Sequence, residues 1–267
     1  MEQSNQKFKI PSVRVNKYWA KNKKLLLFLI IILLIGIYLF WAHFFIYYRL
    51  EQADLSPIDR QPTYIIGDNQ ANSSNLVYVA LGDSLTAGVG ANKYEEAYPY
   101  LLAEKLSKDK QGTVSLKNFS QPGVKTNQLI AGQLDSAIDS QPDIISLLIG
   151  TNDVHGNISA SDFKKNYEYI LTRLTKETSA KIYLLGLPNV GSDGLLWPPY
   201  NYYFRQKTRN NNQIIQALAD KYGLTYIDLE KITLSAVEET YYSKDLFHPS
   251  AYAYQLWAQI IYGNISK

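Results

Sequence analysis

Between Leu25 and Ala42 the chain runs through eighteen residues without a charged or strongly polar side chain, LLLFLIIILLIGIYLFWA. The apolar character resumes after His43 with Phe44, Phe45, Ile46, Tyr47 and Tyr48. A helix rising about 1.5 Å per residue would cover roughly 27–36 Å over 18–24 residues, which matches a hydrocarbon core of about 30 Å. A helix of a water-soluble protein rarely stays apolar on every face. A cleavable signal peptide usually has an apolar region of about 7–15 residues ending in small side chains. This run is longer and ends in bulky ones. The expectation is an uncleaved transmembrane anchor over residues 25–48, with Trp41, Tyr47 and Tyr48 near one membrane interface.

Charge supplies an orientation. Residues 1–24 carry seven basic side chains (Lys7, Lys9, Arg14, Lys17, Lys21, Lys23 and Lys24) and one acid, Glu2. Removing these from the totals of 27 basic and 24 acidic leaves 20 and 23 for the remainder, a net charge of −3. Basic residues collect on the cytoplasmic side of a single span. Residues 1–24 therefore read as a cytoplasmic tail, and everything after residue 49 is expected outside the cytoplasmic membrane. The slightly acidic body offers no basic face for nucleic acid. The chain has no cysteine, which excludes disulfides, thiolate metal sites and a thiol nucleophile. Only His43, His155 and His248 could supply imidazole. No metal-ligand spacing and no phosphate loop is visible, so no metal and no cofactor is expected. Residues 49–75 read as a polar spacer, with Pro57, Pro62 and one short apolar patch at Tyr64–Ile66.

From residue 76 short apolar runs alternate with helical patterns. Strands are expected over 75–81, 114–119, 143–149, 181–187 and 224–227. Helices are expected over 97–108, 126–137, 161–176, 206–222 and 249–262, the last with Pro249 at its first position. Strands separated by helices of this length imply repeated βαβ units and a parallel sheet. In such sheets ligands bind beyond the carboxyl ends of the strands. Four segments lie in that zone or before the last helix: Gly82-Asp83-Ser84-Leu85-Thr86-Ala87-Gly88, Asn118-Phe119-Ser120-Gln121-Pro122-Gly123, Gly150-Thr151-Asn152-Asp153 and Asp245-Leu246-Phe247-His248-Pro249. Taken singly, each can be a turn or a helix cap.

Their order, Ser then Gly then Asn then Asp-x-x-His, resembles the GDSL family, also called SGNH hydrolases. The resemblance extends over about residues 76–265, and the Tyr98-Pro99 pair shares it. It implies a three-layer α/β/α fold with a mostly parallel, flavodoxin-like sheet. It implies Ser84 as nucleophile, His248 as general base and Asp245 as the group that orients the imidazole. The Ser84 and Gly123 N–H groups and the Asn152 side-chain amide would form the oxyanion hole. A serine hydroxyl needs such a base before it attacks well, and neutral histidine suits the task near neutral pH. His155 lies near Asn152 and is read as a rim or substrate contact. Asp83 is assigned a structural role in the turn.

The aromatic stretch Leu195–Phe204 reads as a loop in which Trp197, Tyr200, Tyr202, Tyr203 and Phe204 either line an acyl or sugar pocket, touch the membrane, or simply pack over the sheet, with Trp197, Tyr200 and Tyr203 the substrate-binding candidates. The function implied is a membrane-anchored serine ester hydrolase outside the cytoplasm, acting on an ester-bearing lipid or an acylated glycan. Acyl transfer to a sugar hydroxyl, glycan O-deacetylation and a non-catalytic scaffold are the competing readings. Oligomeric state is not legible in the sequence.

Overall fold

The computed structural model describes residues 15–52, 61, 63–67, 75–189, 191–235 and 238–266. The chain divides into two compact units, residues 1–47 and 48–267. In the first, a helix runs Val15–Gln52 and leaves every side chain from Leu25 to Ile35 exposed. Its Asn22–Glu51 portion is long and apolar enough to cross a membrane, by length and composition.

The second unit is built on a six-stranded sheet of β1 (Thr63–Ile66), β2 (Asn75–Gly82), β3 (Thr113–Asn118), β4 (Ile144–Leu148), β5 (Lys181–Leu185) and β6 (Thr225–Ile227). Their spatial order is β1-β3-β2-β4-β5-β6, parallel from β3 to β6, with β1 antiparallel on the outer edge. The parallel part has the flavodoxin-like order, with its topological switch at β2. From β2 the chain crosses to β3 on one side and then to β4 on the other. The loops after β3 and β4 therefore flank the end of β2.

The central strands are continuous apolar runs because helices cover both faces. Tyr78 to Leu81 of β2 and Ile145, Leu147 and Leu148 of β4 are fully buried. Two of the buried polar contacts join core elements. The Tyr78 hydroxyl meets Ser146 Oγ at 2.7 Å, and Trp257 Nε1 donates to the Tyr241 hydroxyl at 2.7 Å. The Ala251–Ile265 helix packs on the Tyr98–Lys110 helix through Tyr98, Tyr254 and Trp257, whose ring centroids lie 5.4–6.5 Å apart.

Five sequence expectations need correction. The Tyr64–Ile66 patch is not spacer but β1, held because Tyr64 stacks on Tyr94 at 4.9 Å and meets Tyr100 at 5.5 Å. The single helix expected over 126–137 is two, Thr126–Gly132 and Leu134–Asp139. Gln133 breaks it by turning inward, where its amide bridges Gly82: Oε1 accepts from the Gly82 N–H at 3.2 Å and Nε2 donates to the Gly82 carbonyl at 2.9 Å. Ser159, not Ser161, caps the Ala160–Glu177 helix, accepting from the Asp162 N–H at 3.1 Å. Pro249 precedes the last helix instead of opening it, and Ser250 is its cap. The helix expected from Gln206 begins at Tyr200, so the end of the aromatic stretch is helical.

Gly82 is the point where β2 and β4 approach most tightly: a Cβ there would lie 2.3 Å from the Leu148 carbonyl oxygen. Gln133→Met keeps the chain length but leaves the buried Gly82 groups without their side-chain partner, at a cost of about 2–4 kcal/mol. Thermal unfolding of the detergent-solubilised chain beside the parent would read that loss, and an unchanged midpoint would refute the bridge.

Candidate active site

The end of β2 has no room for a long turn, so the chain passes from Gly82 through Asp83 directly into the Ser84–Ala87 helix. Asp83 is fully buried and caps that helix, its Oδ1 accepting from the Leu85 N–H at 3.0 Å. Ser84 occupies the first helical position, where a backbone N–H has no partner within the helix. From β3, Asn118 ties this turn down: its Nδ2 donates to the Thr86 carbonyl at 2.9 Å and the Tyr94 hydroxyl at 2.6 Å. Its Oδ1 accepts from the Ser120 N–H and hydroxyl at 3.0 and 2.6 Å.

The Asp245–His248 loop approaches from the other side. Ser84 Oγ lies 3.0 Å from His248 Nε2, and His248 Nδ1 lies 2.5 Å from Asp245 Oδ2. Asp245 Oδ1 accepts three further bonds, from Ser243 Oγ at 2.7 Å and from the Phe247 and His248 N–H groups at 2.9 Å each. Burial opposes its charge, but the bonds from His248, Ser243 and Phe247 outweigh that and hold its pKa below the ordinary value. The helix that follows this loop is tied to the Ser84 segment by the Tyr254 hydroxyl, which donates to the Val89 carbonyl at 2.7 Å.

Gly123 and Asn152 flank the serine turn as the switch at β2 requires. Gly123 has φ +82° and nothing within 4 Å of where a Cβ would stand. Backbone conformation, not crowding, selects glycine there. Asn152 Nδ2 donates to the Val124 carbonyl at 3.0 Å, beside Gly123, and lies 3.4 Å from Asp83 Oδ2. The two flanking loops are clamped by Asp153, whose carboxylate accepts from the Thr126 N–H at 3.0 Å and hydroxyl at 2.6 Å. Thus Ser84, Asp245 and His248 are in contact, and Gly123 and Asn152 stand beside their turn.

The aromatic candidates are farther out. Trp197 and Tyr200 are half-buried and Tyr203 is exposed. The Tyr203 hydroxyl donates to Asn157 Oδ1 at 3.0 Å, which joins the Tyr200–Tyr222 helix to the loop after the Asn152 helix. His155 is wedged between the rings of Phe204 (4.6 Å) and Phe247 (5.2 Å). Its Nε2 is buried with no hydrogen-bond partner among the described residues. Burial, and then the nearby His248, push its pKa down to about 4, so the ring stays neutral at pH 7. Asn118, Asp153, Phe204 and Phe247 lie inside the segments that the sequence singles out, but their supporting roles were not assigned there, and Gln133 was missed. The change at Gln133 from helical pattern to buried polar position was the one available signal.

Comparison with known proteins agrees with this architecture. The sequence model of the GDSL-like lipase/acylhydrolase family matches residues 80–256. A spore germination lipase of Bacillus licheniformis is 26% identical over 206 residues, covering 69% of this chain and 93% of that one. The crystal structure of a lipase/acylhydrolase from Enterococcus faecalis superposes with a TM-score of 0.61 at 22% identity, over 71% of this chain and 95% of that one. An acetylxylan esterase from Geobacillus stearothermophilus superposes with a TM-score of 0.60 at 16% identity, over 73% and 96%.

Asp83 generates a pH prediction. Burial raises its pKa from 3.8 to about 7, against the Leu85 N–H and with the Asp153 charge adding to the rise. The folded chain thus holds this proton more tightly than the unfolded chain. The stability it contributes is complete below about pH 4 and is lost as pH rises through about 7, a swing of roughly 4 kcal/mol. Asp83→Asn keeps the cap and removes the titration. The variant should melt close to the parent at pH 4 and clearly above it at pH 8. Equal melting differences at both pH values would contradict the assignment.

Proposed function

This chain belongs to the GDSL-like lipase/acylhydrolase family and is an ester-hydrolysing enzyme, and from that premise we propose that it acts through an acyl-enzyme on Ser84. The observation that carries the reading is the continuous contact Ser84 Oγ–His248 Nε2–Asp245, with distances of 3.0 and 2.5 Å, assembled from segments 164 residues apart. His248 Nε2 takes the Ser84 proton as Oγ attacks the ester carbonyl. The imidazolium that forms keeps its Nδ1–H on Asp245, which stays ionised and balances the charge. The tetrahedral intermediate collapses as His248 returns the proton to the departing alkoxide. A water molecule then repeats the sequence on the acyl-enzyme, with His248 as base again.

The negative oxygen of each intermediate would be met by the Ser84 and Gly123 N–H groups and one proton of the Asn152 amide. Each such donor contributes roughly 3–4 kcal/mol in a preorganised site. Asn152 is held by its 3.0 Å bond to Val124, and the longer 3.4 Å contact to Asp83 is the one to yield. Burial raises the Asp83 pKa to about 7, and below that pH the protonated group holds the amide less than a carboxylate would. His155, neutral and packed between rings, takes no proton in this scheme.

We further propose that the apolar helix is an uncleaved anchor for residues 25–48. Residues 1–24 would lie in the cytoplasm and the hydrolase unit outside. The charge asymmetry of the two flanks supports this orientation.

Hydrolysis of p-nitrophenyl esters from acetyl to palmitoyl length tests the chemistry. Ser84→Ala and His248→Ala are each expected to lose at least about 10³-fold in kcat, and Asp245→Asn clearly less. Asn152→Ala should lower kcat about 10²–10³-fold with KM little changed. A His248→Ala variant that keeps parental turnover would sink the mechanism. For the anchor, intact cells should leave the hydrolase unit open to added protease, and protection there would reverse the orientation.

A further inference from the structure

Outside the apolar run, the described residues include five large, well-exposed hydrophobic side chains: Ile65, Tyr169, Tyr202, Tyr203 and Tyr252. Three of them share one end of the molecule. Tyr202 and Tyr203 stand on the first turn of the Tyr200–Tyr222 helix, and Tyr252 on the first turn of the Ala251–Ile265 helix. Helices that follow parallel strands start at the carboxyl end of the sheet, which is the end that holds Ser84. The same turn reaches the site through touching rings. Tyr203 meets Phe204 at 5.4 Å, Phe204 meets His155 at 4.6 Å, His155 meets Phe247 at 5.2 Å, and Phe247 meets His248 at 4.9 Å.

Two observations say what this rim faces. Ten residues (53–62) separate the end of the long helix at Gln52 from β1 at Thr63 in the sequence, a stretch that spans at most about 35 Å. Arg49 is the first charged residue after the apolar run. Within the second unit its guanidinium donates to the Lys244 carbonyl at 3.4 Å, one residue before Asp245. Tyrosine, with an apolar ring and a polar tip, is the residue type that settles at a headgroup layer. Lys207, 5.3 Å over the Tyr203 ring, adds a cation suited to anionic headgroups.

We propose that the carboxyl-end rim, with Tyr202, Tyr203 and Tyr252 foremost, seats on the headgroup layer of the bilayer that residues 25–48 cross, and that the site takes esters presented at that surface. This rests on the anchor reading above. It makes membrane-embedded lipid esters the substrate class, and it gives the exposed tyrosines a role that catalysis on a soluble ester does not require.

The absence of native cysteine makes a direct test possible. The full-length chain carrying Tyr202→Cys or, at the far end of the Ala160–Glu177 helix, Lys176→Cys is labelled with bimane. Each is reconstituted into phosphatidylethanolamine–phosphatidylglycerol vesicles containing a headgroup-region nitroxide lipid, and co-flotation is checked. Quenching at position 202 is expected to exceed that at 176 by at least about threefold. Tyr202→Asp is expected to lower the ratio of turnover on a vesicle-embedded ester to turnover on p-nitrophenyl acetate by about fivefold or more. Equal quenching at the two positions in chain that floats with the vesicles overturns the seating and leaves the anchor standing; the rim would then be open to soluble acylated glycans. Chain that does not float overturns the anchor and the seating together.

Discussion

A buried turn with no apolar side chain to recommend it governs this molecule. Gly82, Asp83 and Ser84 lie where two parallel strands are closest, away from bulk water, and each carries polar groups that must find partners there. Gln133 serves Gly82 from one helix, Leu85 serves Asp83 from the next turn, and His248 serves Ser84 from a loop far along the chain. Asn118 and the Asp153–Thr126 clamp then hold the flanking loops in register with that turn. The catalytic arrangement is therefore also a solution to a packing problem. Displacing any one of these partners strands a buried donor or acceptor beside the serine.

The topology makes that solution reachable. A chain leaving β2 must go to one side for β3 and to the other for β4, so the ends of three adjacent strands open into one crevice. Each contributes a short polar segment, and the Tyr98–Lys110 and Ala251–Ile265 helices pack on each other through Tyr98, Tyr254 and Trp257.

Much of this was readable beforehand, for identifiable reasons. Strands buried on both faces, such as Ile144–Leu148, announce themselves as unbroken apolar runs, and the four blocks bearing Ser84, Gly123, Asn152 and His248 stand at strand ends or before a helix. Periodicity failed where tertiary partners override it. The pattern over 126–137 is helical, but the Gln133 side chain is worth more bridging Gly82 than continuing the helix. Tyr64–Ile66 is too short to signal a strand and becomes one through the rings of Tyr94 and Tyr100. The aromatic stretch read as a loop because Trp197, Pro198 and Pro199 dominate it, while the helix starts at the very next residue. Asn118 and Phe247 lie inside the segments that the sequence singles out, but their supporting roles come only from what the fold brings beside them.

The outer strand has a mechanical consequence. β1 is four residues long, pairs with a single neighbour, and is the first part of the sheet met by any tension transmitted along the chain from Gln52. Peeling it away would lengthen the stretch of sequence between Gln52 and the first remaining strand from ten residues to twenty-two, from about 35 Å of reach to about 75 Å. The parallel strands that carry the serine, the glycine and the asparagine would remain paired. Within the sheet, β1 is thus a yield point placed ahead of the strands that carry these residues.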